Sequence, residues 1–349
     1  MRLTLREMLA GVRPWIIAEI GVNHNGRLEE ALALVQMAAR AGAHAVKFQA
    51  FRAERLVRHD APLADYQARN MGRDGSQLDM LRALEIDFPA LAACAAEARA
   101  AGLAFGVTPF DPISLQEILA LEPDFIKIGS GDADNWQLLA GARACGRPVI
   151  VSTGMCHEQE VRRIVDWFDG ARDRLALLHC VSAYPAPEDA CNLLALPQLR
   201  RLGVVTGFSD HTEGNRAAMV ACALGAEILE RHITLDCRAS GPDHACSCDE
   251  DGLRRWIGEL DAVLRLLGDG QKRPMPCEEN VRCVARKSLN LRHPLAAGEV
   301  LTLDHLCCLR PADGMAAHLL PHLLGRRLSR DVTPTRPLSP EDLEGGMNP

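Results

Sequence analysis

Short, nearly continuous apolar runs recur along the chain, separated by stretches in which apolar residues return every three or four positions. The runs are WIIAEIG (15–21), AVKFQA (45–50), AFGVTPF (104–110), DFIKIGS (124–130), PVIVST (148–153), LALLHCV (175–181), VVTGFSD (204–210) and EILERHI (227–233). Runs without apolar/polar alternation are what parallel strands covered on both faces require. Between them, LEEALALVQMAARAG, FPALAACAAEARAAG and NRAAMVACALGA predict alanine-rich amphipathic helices, several closed by a glycine. Eight strands, each followed by a helix, predict an α/β fold of the (β/α)8 type. An open doubly wound sheet is the alternative, but no G-x-G-x-x-G turn follows the first strand.

Two interruptions organise the rest. The connection after the second run, roughly 51–85, is longer than an ordinary strand–helix loop and polar (RHDAPLADYQARNMGRDGSQ), where a lid over the barrel mouth would sit. The helix DGLRRWIGELDAVLRLLGDG closes a barrel domain over residues 1–270, and the Pro-rich, charged QKRPMPCEEN reads as a linker over 271–284. Residues 285–349 then form a small second domain with short strands, turns at AAGE and PADG, and many prolines.

Composition narrows the class. With 349 residues and 48 % hydrophobic content the chain supports a large core. A formal net charge of −7 argues against a nucleic-acid partner. Arg2, Arg6, Glu7 and Arg13 break up the start before any signal-peptide core, and no membrane span is visible, so a cytoplasmic enzyme is expected. Thirteen cysteines, an odd number without paired C-x-x-C spacing, read as reduced thiols and not as disulfides or a zinc site.

The candidate chemistry lies at the C-terminal ends of the strands, where parallel barrels carry their sites. Those ends hold Glu19, Asn23, His24 and Asn25; Lys47 and Gln49; Thr108; Lys127 and Ser130; Ser152 and Thr153; His179 and Ser182; Ser209, Asp210 and His211; and Glu230 and His232. Only four of the 39 basic residues are lysine. Two of the four, Lys47 and Lys127, sit inside strands between apolar neighbours, where a lysine without a task is costly. Two ammoniums facing one cavity suit a compact polyanion such as phosphoenolpyruvate. His211 and His232 end adjacent strands and suit a divalent cation completed by water and substrate oxygens. Glu19, Asp132, Asp210, Glu230 and Asp243 are the candidate acids.

IIAEIGVNHNG (16–26), VKFQ (46–49), TPFD (108–111), KIGSGD (127–132), STGM (152–155), LLHCVSAYPAP (177–187), GFSDHT (207–212), ERHITLD (230–236) and GPD (241–243) resemble the bacterial sialic acid synthases, which make N-acetylneuraminate, legionaminate and pseudaminate. KSL, AAGEVLT, LRPADGM and LGRRLSRD resemble the antifreeze-like (SAF) domain that ends them. The resemblance implies a TIM barrel plus antifreeze-like domain in a domain-swapped homodimer. It implies condensation of phosphoenolpyruvate with an N-acetylated aldose, N-acetylmannosamine or 2,4-diacetamido-2,4,6-trideoxymannose, with release of phosphate.

Residue by residue, the resemblance assigns Lys47, Lys127, Ser130, Ser152 and Ser209 to phosphoenolpyruvate. It gives His211 and His232 to Mn²⁺ or Mg²⁺, with Glu19 beside them. Gln49, Tyr184, Asp243 and, from the partner subunit, Arg310 surround the sugar, with Thr108 and Ser182 completing the substrate-binding set. Asp132 follows GSG where the family usually carries a glutamate, and is the matching candidate for proton transfer. DAPLADYQARNMGRDGSQLDML with GVNHNG leans toward the neuraminate/legionaminate branch. A Schiff-base aldolase using Lys47 or Lys127, and a non-catalytic sugar-binding protein, are the alternatives.

Overall fold

The computed structural model describes residues 4–11, 14–71 and 76–346. Its contacts divide the chain into two compact units, Met1–Gly268 and Asp269–Pro349.

In the first unit eight parallel strands close into a TIM barrel in sequential order. They are β1 (Trp15–Gly21), β2 (Ala45–Ala50), β3 (Ala104–Pro109), β4 (Phe125–Ile128), β5 (Val149–Ser152), β6 (Leu175–His179), β7 (Val205–Asp210) and β8 (Ile228–His232). Each lies inside one of the eight apolar runs, and most stop a residue or two earlier because the last positions turn into site loops.

Alternate positions along each strand face opposite ways. Outward residues such as Ile16, Ala18, Val46, Phe48, Val107 and Ile126 pack against the helical layer in one continuous core. The inward residues form a second cluster, with Ile17, Ala45, Phe125, Ile150, Val205 and Ile228 in its lower layers. Leu5 and Leu9, from a short N-terminal helix (Leu5–Met8) and its cap, join that cluster and are buried. Gly106 makes room there: a Cβ on it would lie 2.0 Å from the Phe125 ring.

Two steps further along the same inward rows the residue type changes. Ile17 gives way to Glu19, Ala45 to Lys47, Phe125 to Lys127, Ile150 to Ser152 and Ile228 to Glu230. The strand register sets Glu19 beside both Lys47 and His232, and Ser209 beside Glu230. A dry floor and a polar mouth are therefore successive layers of one barrel.

Helices begin close to the strand ends. Asp111 caps the Pro112–Leu119 helix by accepting the Ile113 and Ser114 N–H groups, both at 2.9 Å. Caps of this kind contribute about 1 kcal/mol. The insertion after β2 folds into three short helices, Ala53–Leu56, Asp65–Met71 and Gln77–Leu84. No helix among the described residues is long and apolar enough to cross a membrane.

The second unit is small. Strands β9 (Ser288–Leu291) and β10 (Leu306–Leu309) pair antiparallel over a leucine-rich core that includes Leu289, Leu301, Leu323 and Leu328. Residues expected to link the two domains instead form a Pro276–Glu278 turn and a Glu279–Ala285 helix within this unit. Pro276 opens that turn, and the Glu278 carboxylate accepts the Met275 N–H at 2.8 Å.

Candidate active site

At the C-terminal ends of the strands lies a cavity of about 420 Å³. Its floor is a buried charge array. Lys47 Nζ lies 2.8 Å from Glu19 Oε2, 3.8 Å from Glu230 Oε2 and 3.2 Å from the Thr108 hydroxyl. Lys127 Nζ lies 2.6 Å from the Ser152 hydroxyl and 3.8 Å from Glu230 Oε1. Ser209 donates to Glu230 Oε1 at 2.8 Å, and Gln49 donates to Glu19 Oε1 at 3.3 Å. Glu230 thus stands between the two ammoniums.

The electrostatics follow from that placement. Burial pushes Glu230 upward, but Lys127, Lys47 and the Ser209 hydroxyl outweigh it and hold the carboxyl below its usual range. Burial wins at Glu19, whose carboxyl is raised although Lys47 is close. Lys47 loses to burial but gains more from Glu19 and Glu230, and its net shift is upward. Lys127, with fewer anions around it, is lowered by burial. Asp243 is lifted to about 7 by burial and by the charge of Glu19.

His211 and His232 stand side by side, ring centroids 5.7 Å apart. Burial lowers each to about 4, so both are neutral imidazoles near pH 7. His211 Nδ1 bonds the Val181 carbonyl at 2.8 Å, which makes that nitrogen the donor and leaves a lone pair on Nε2. His232 Nδ1 is buried, has no hydrogen-bond partner and lies 4.0 Å from Asp243 Oδ2. Two neutral rings, one with an orphaned nitrogen, fit a divalent cation. Among the described residues no group of three or more His, Cys, Asp or Glu side chains forms a ready-made metal site, so water or substrate oxygens would complete the shell.

The remaining wall is partly hydroxyl and partly aromatic. Ser130 accepts the Gly154 N–H at 3.0 Å, and a Cβ on Gly154 would lie 2.4 Å from the Ser182 hydroxyl. Tyr184 packs on His211, centroids 4.3 Å apart, and on Tyr66, centroids 5.0 Å apart. Glu19, Lys47, Gln49, Thr108, Lys127 and Ser130 all line the cavity, as do Ser152, Ser182, Tyr184, Ser209, His211, His232 and Asp243.

One candidate is not brought there. Asp132 does not line the cavity; it sits on the Ser130–Asp132 turn and accepts from Asn135, the residue that caps the next helix. Arg310 belongs to the second unit, where its Nε donates to the Ala285 carbonyl at 3.0 Å.

Several other strand-end polar groups serve the scaffold. Asn23 donates to the Ile233 carbonyl and to Ser247, each at 2.8 Å. His24 Nδ1 accepts the Gly26 N–H, Asn25 bonds His244, and His179 bonds the Cys191 carbonyl. Asp210 holds Thr212 and Arg231. His179, Asp210 and Arg231 occupy outward positions of their strands, the parity opposite to the cavity residues.

Tyr66 and Gln67, on the Asp65–Met71 helix, line the cavity and were not among the predicted site residues. The sequence marks their region as a lid without marking them. Glu230 was one of several candidate acids; its distinguishing signal is its spacing, two residues before His232 on the same strand.

Comparison with known proteins settles the family. Residues 34–272 match the NeuB family, and residues 286–344 match the SAF domain. The chain belongs to the NeuB family. It is 36 % identical over 336 residues to the N,N'-diacetyllegionaminic acid synthase of Legionella pneumophila, covering 95 % of this chain and 94 % of the relative. Among solved structures, the N-acetylneuraminic acid (sialic acid) synthetase of Leptospira borgpetersenii, in complex with citrate, is 30 % identical. It superimposes with a TM-score of 0.69 over 77 % of this chain and 90 % of that one. A putative spore coat polysaccharide biosynthesis protein E from Chromobacterium violaceum, 25 % identical, gives a TM-score of 0.81 over 95 % and 99 % of the two chains.

Proposed function

We propose that this NeuB-family chain is a nonulosonate synthase that condenses phosphoenolpyruvate with an N-acetylated aldose and releases phosphate. The observation that carries the reading is the pair of buried ammoniums, Lys47 and Lys127, sharing Glu230 beside two neutral imidazoles in one mouth. Kinship with the diacetyllegionaminic and sialic acid synthases supports it.

In this reading Lys47 and Lys127, with the Ser130, Ser152 and Ser209 hydroxyls, hold the phosphate and carboxylate of phosphoenolpyruvate. Gln49, Ser182, Tyr184 and Asp243 hold the aldose. His211 and His232 would hold Mn²⁺ or Mg²⁺, which supplies Lewis acidity toward the acceptor's carbonyl oxygen when bound. Carbon 3 of phosphoenolpyruvate forms a bond to the aldehyde carbon, whose oxygen takes a proton and becomes a hydroxyl. Water adds to the electron-poor carbon 2, and its first proton passes to Glu19, whose raised carboxyl is suited to accept it. Carbon 2 then becomes the ketone as its bond to the phosphate oxygen breaks and its hydroxyl proton leaves with the phosphate, while the proton passed to Glu19 balances the one taken up by the acceptor's oxygen. The lysines stabilise the charge that accumulates on the departing phosphate.

Asp132, turned toward Asn135, is assigned to supporting the turn that carries Ser130. The closed assembly proposed is a homodimer in which the second unit of one chain brings Arg310 to the other chain's mouth. Phosphate release from phosphoenolpyruvate, dependent on an acetamido aldose and abolished by EDTA, tests the reading. The lowered Lys127 favours one other chemistry, a Schiff-base aldolase. Borohydride trapping of Lys127 with a keto substrate, unaffected by EDTA, would establish that instead.

A further inference from the structure

The N-H-N stretch after β1 takes no part in the chemistry above. Asn23 is buried, and Asn25 holds a left-handed backbone (φ 51°) that asparagine tolerates better than most residues. Neither lines the cavity. Both side chains reach one loop, residues 234–248, which leaves β8 and carries Asp243. The ends of that loop are tied together at the barrel. The Cys248 N–H donates to the His232 carbonyl and the Thr234 N–H to the Cys248 carbonyl, each at 2.9 Å. Further along, the loop puts Pro242 and Asp243 on the cavity wall.

Asp243 has no side-chain anchor of its own. Among the described residues no hydrogen bond reaches its carboxylate, and Oδ2 stands 4.0 Å from His232 Nδ1. Its direction is therefore set by the backbone that carries it, and two ties fix that backbone. In the first, Asn23 Nδ2 donates to the Ser247 hydroxyl at 2.8 Å, and Ser247 donates to the Asp243 carbonyl at 2.6 Å. In the second, the Thr234 hydroxyl and Asn25 Oδ1 hold His244 at 2.7 and 3.1 Å. Burial lowers His244, so its ring is neutral near pH 7. Thr234 then donates to Nδ1, the Nε2–H donates to Asn25, and both ring nitrogens are satisfied. Gly241 lets the loop close on that ring: a Cβ there would lie 2.6 Å from His244 Cδ2. A third asparagine, Asn70 of the insertion, donates to the Pro242 carbonyl at 2.6 Å.

We propose that Asn23 and Asn25, acting through Ser247 and His244, are positioning residues that aim the Asp243 carboxylate into the cavity at the acceptor sugar. The inference rests on the synthase reading, in which Asp243 holds the aldose. The two ties meet at consecutive residues, so the peptide between 243 and 244 is held by its carbonyl and by the ring that follows it. A carboxylate on a backbone fixed in this way needs no ordering when the sugar arrives.

The test is steady-state phosphate release by the full-length protein with phosphoenolpyruvate and Mn²⁺. The acceptor is whichever of N-acetylmannosamine and 2,4-diacetamido-2,4,6-trideoxymannose the unmodified protein turns over. Asn25→Gly removes the side chain and keeps a residue at ease with positive φ. It is expected to lower kcat/KM for the acceptor by roughly 10–100-fold, the scale of a group misplaced by about 1 Å, with the KM for phosphoenolpyruvate within about 2-fold. Asn25→Asp keeps the oxygen that His244 meets and is expected to recover most of the loss. In an Asp243→Ala background Asn25→Gly should add no more than about 2-fold, because the group it acts through is gone. Should Asn25→Gly fail to fold, Ser247→Ala cuts the other tie, with the same KM split and the same non-additivity expected. Equal rises in both KM values, or a loss that adds in full to that of Asp243→Ala, would overturn the positioning and leave the synthase reading standing. So would a fall in melting temperature with both KM values unchanged. Absence of phosphate release by the unmodified protein with either sugar would remove the synthase reading and the positioning with it.

Discussion

Two clusters of buried charge in this chain look alike in composition and differ in how completely they are satisfied. In the second unit Asp342 is buried, and both its oxygens are fully engaged. Oδ1 accepts from Arg330 and Arg336 at 2.6 and 2.7 Å, and Oδ2 from Arg336 and the Ser339 N–H at 2.7 and 2.8 Å. In the barrel mouth Glu230 Oε2 and His232 Nδ1 are buried without a hydrogen-bond partner, and the nearest ammonium to that oxygen is 3.8 Å away. A closed network fixes a fold; an open one leaves donors, acceptors and charge for a ligand. On the function proposed above the first serves stability and the second the reaction, although both are carboxylates beside cations.

Substitutions separate the two. The largest expected effect is that of Lys127→Ala, a loss of roughly 10²–10³-fold in kcat/KM for phosphoenolpyruvate, the scale for removing one preorganised donor. Its thermal transition should stay within a few degrees of the parent; a collapse in melting temperature would make the mouth cluster structural as well and break the contrast. His211→Ala or His232→Ala should abolish EDTA-sensitive turnover with the barrel still folded by circular dichroism, and full activity in either would remove the metal assignment.

Asp342→Asn should do the reverse. It is expected to cost about 2–4 kcal/mol in urea unfolding, less than for a fully buried pair because both guanidiniums are partly exposed. The Lys127 and His232 chemistry should survive in whatever fraction remains folded.

The pH dependence of the second unit has a defined sign. Burial raises Asp342, but Arg336, the Ser339 N–H and Arg330 outweigh it and depress the carboxyl strongly. A depressed carboxylate contributes stability that is present above its unfolded value of about 3.9 and is lost as pH falls below it. Melting of the parent should therefore drop on acidification through that range, and Asp342→Asn should flatten the drop. The smallest effect expected is that of Ser209→Ala, about 10-fold or less in kcat/KM, since one hydroxyl donor to Glu230 is worth about 1 kcal/mol.

The apolar runs located all eight barrel strands, because a strand covered on both faces must be apolar along its length. The lysines at 47 and 127 were readable for a related reason: a charge inside such a run has to face something polar. The serine and histidine positions were readable as strand-end polar groups, but their separate roles, and Tyr184 altogether, came from resemblance, since one hydroxyl or ring at a strand end looks much like another. The linker reading missed the Glu279–Ala285 helix, whose Pro-rich approach resembles an extended connector until Pro276 and Glu278 start the turn.

Sequence alone determined the barrel, the second domain's family and the two lysines, because periodicity and motif are local properties of the chain. Only the tertiary structure decided which strand-end polar groups share a cavity. Strand parity turned His179 and Asp210 outward to the scaffold and Glu230 inward between two ammoniums, and a helical turn took Asp132 to Asn135. Closure of the barrel likewise brought Tyr66 of the insertion against Tyr184, 118 residues further along the chain by the difference of their numbers. Convergence of that kind is set by strand register and packing, which no short stretch of sequence encodes by itself.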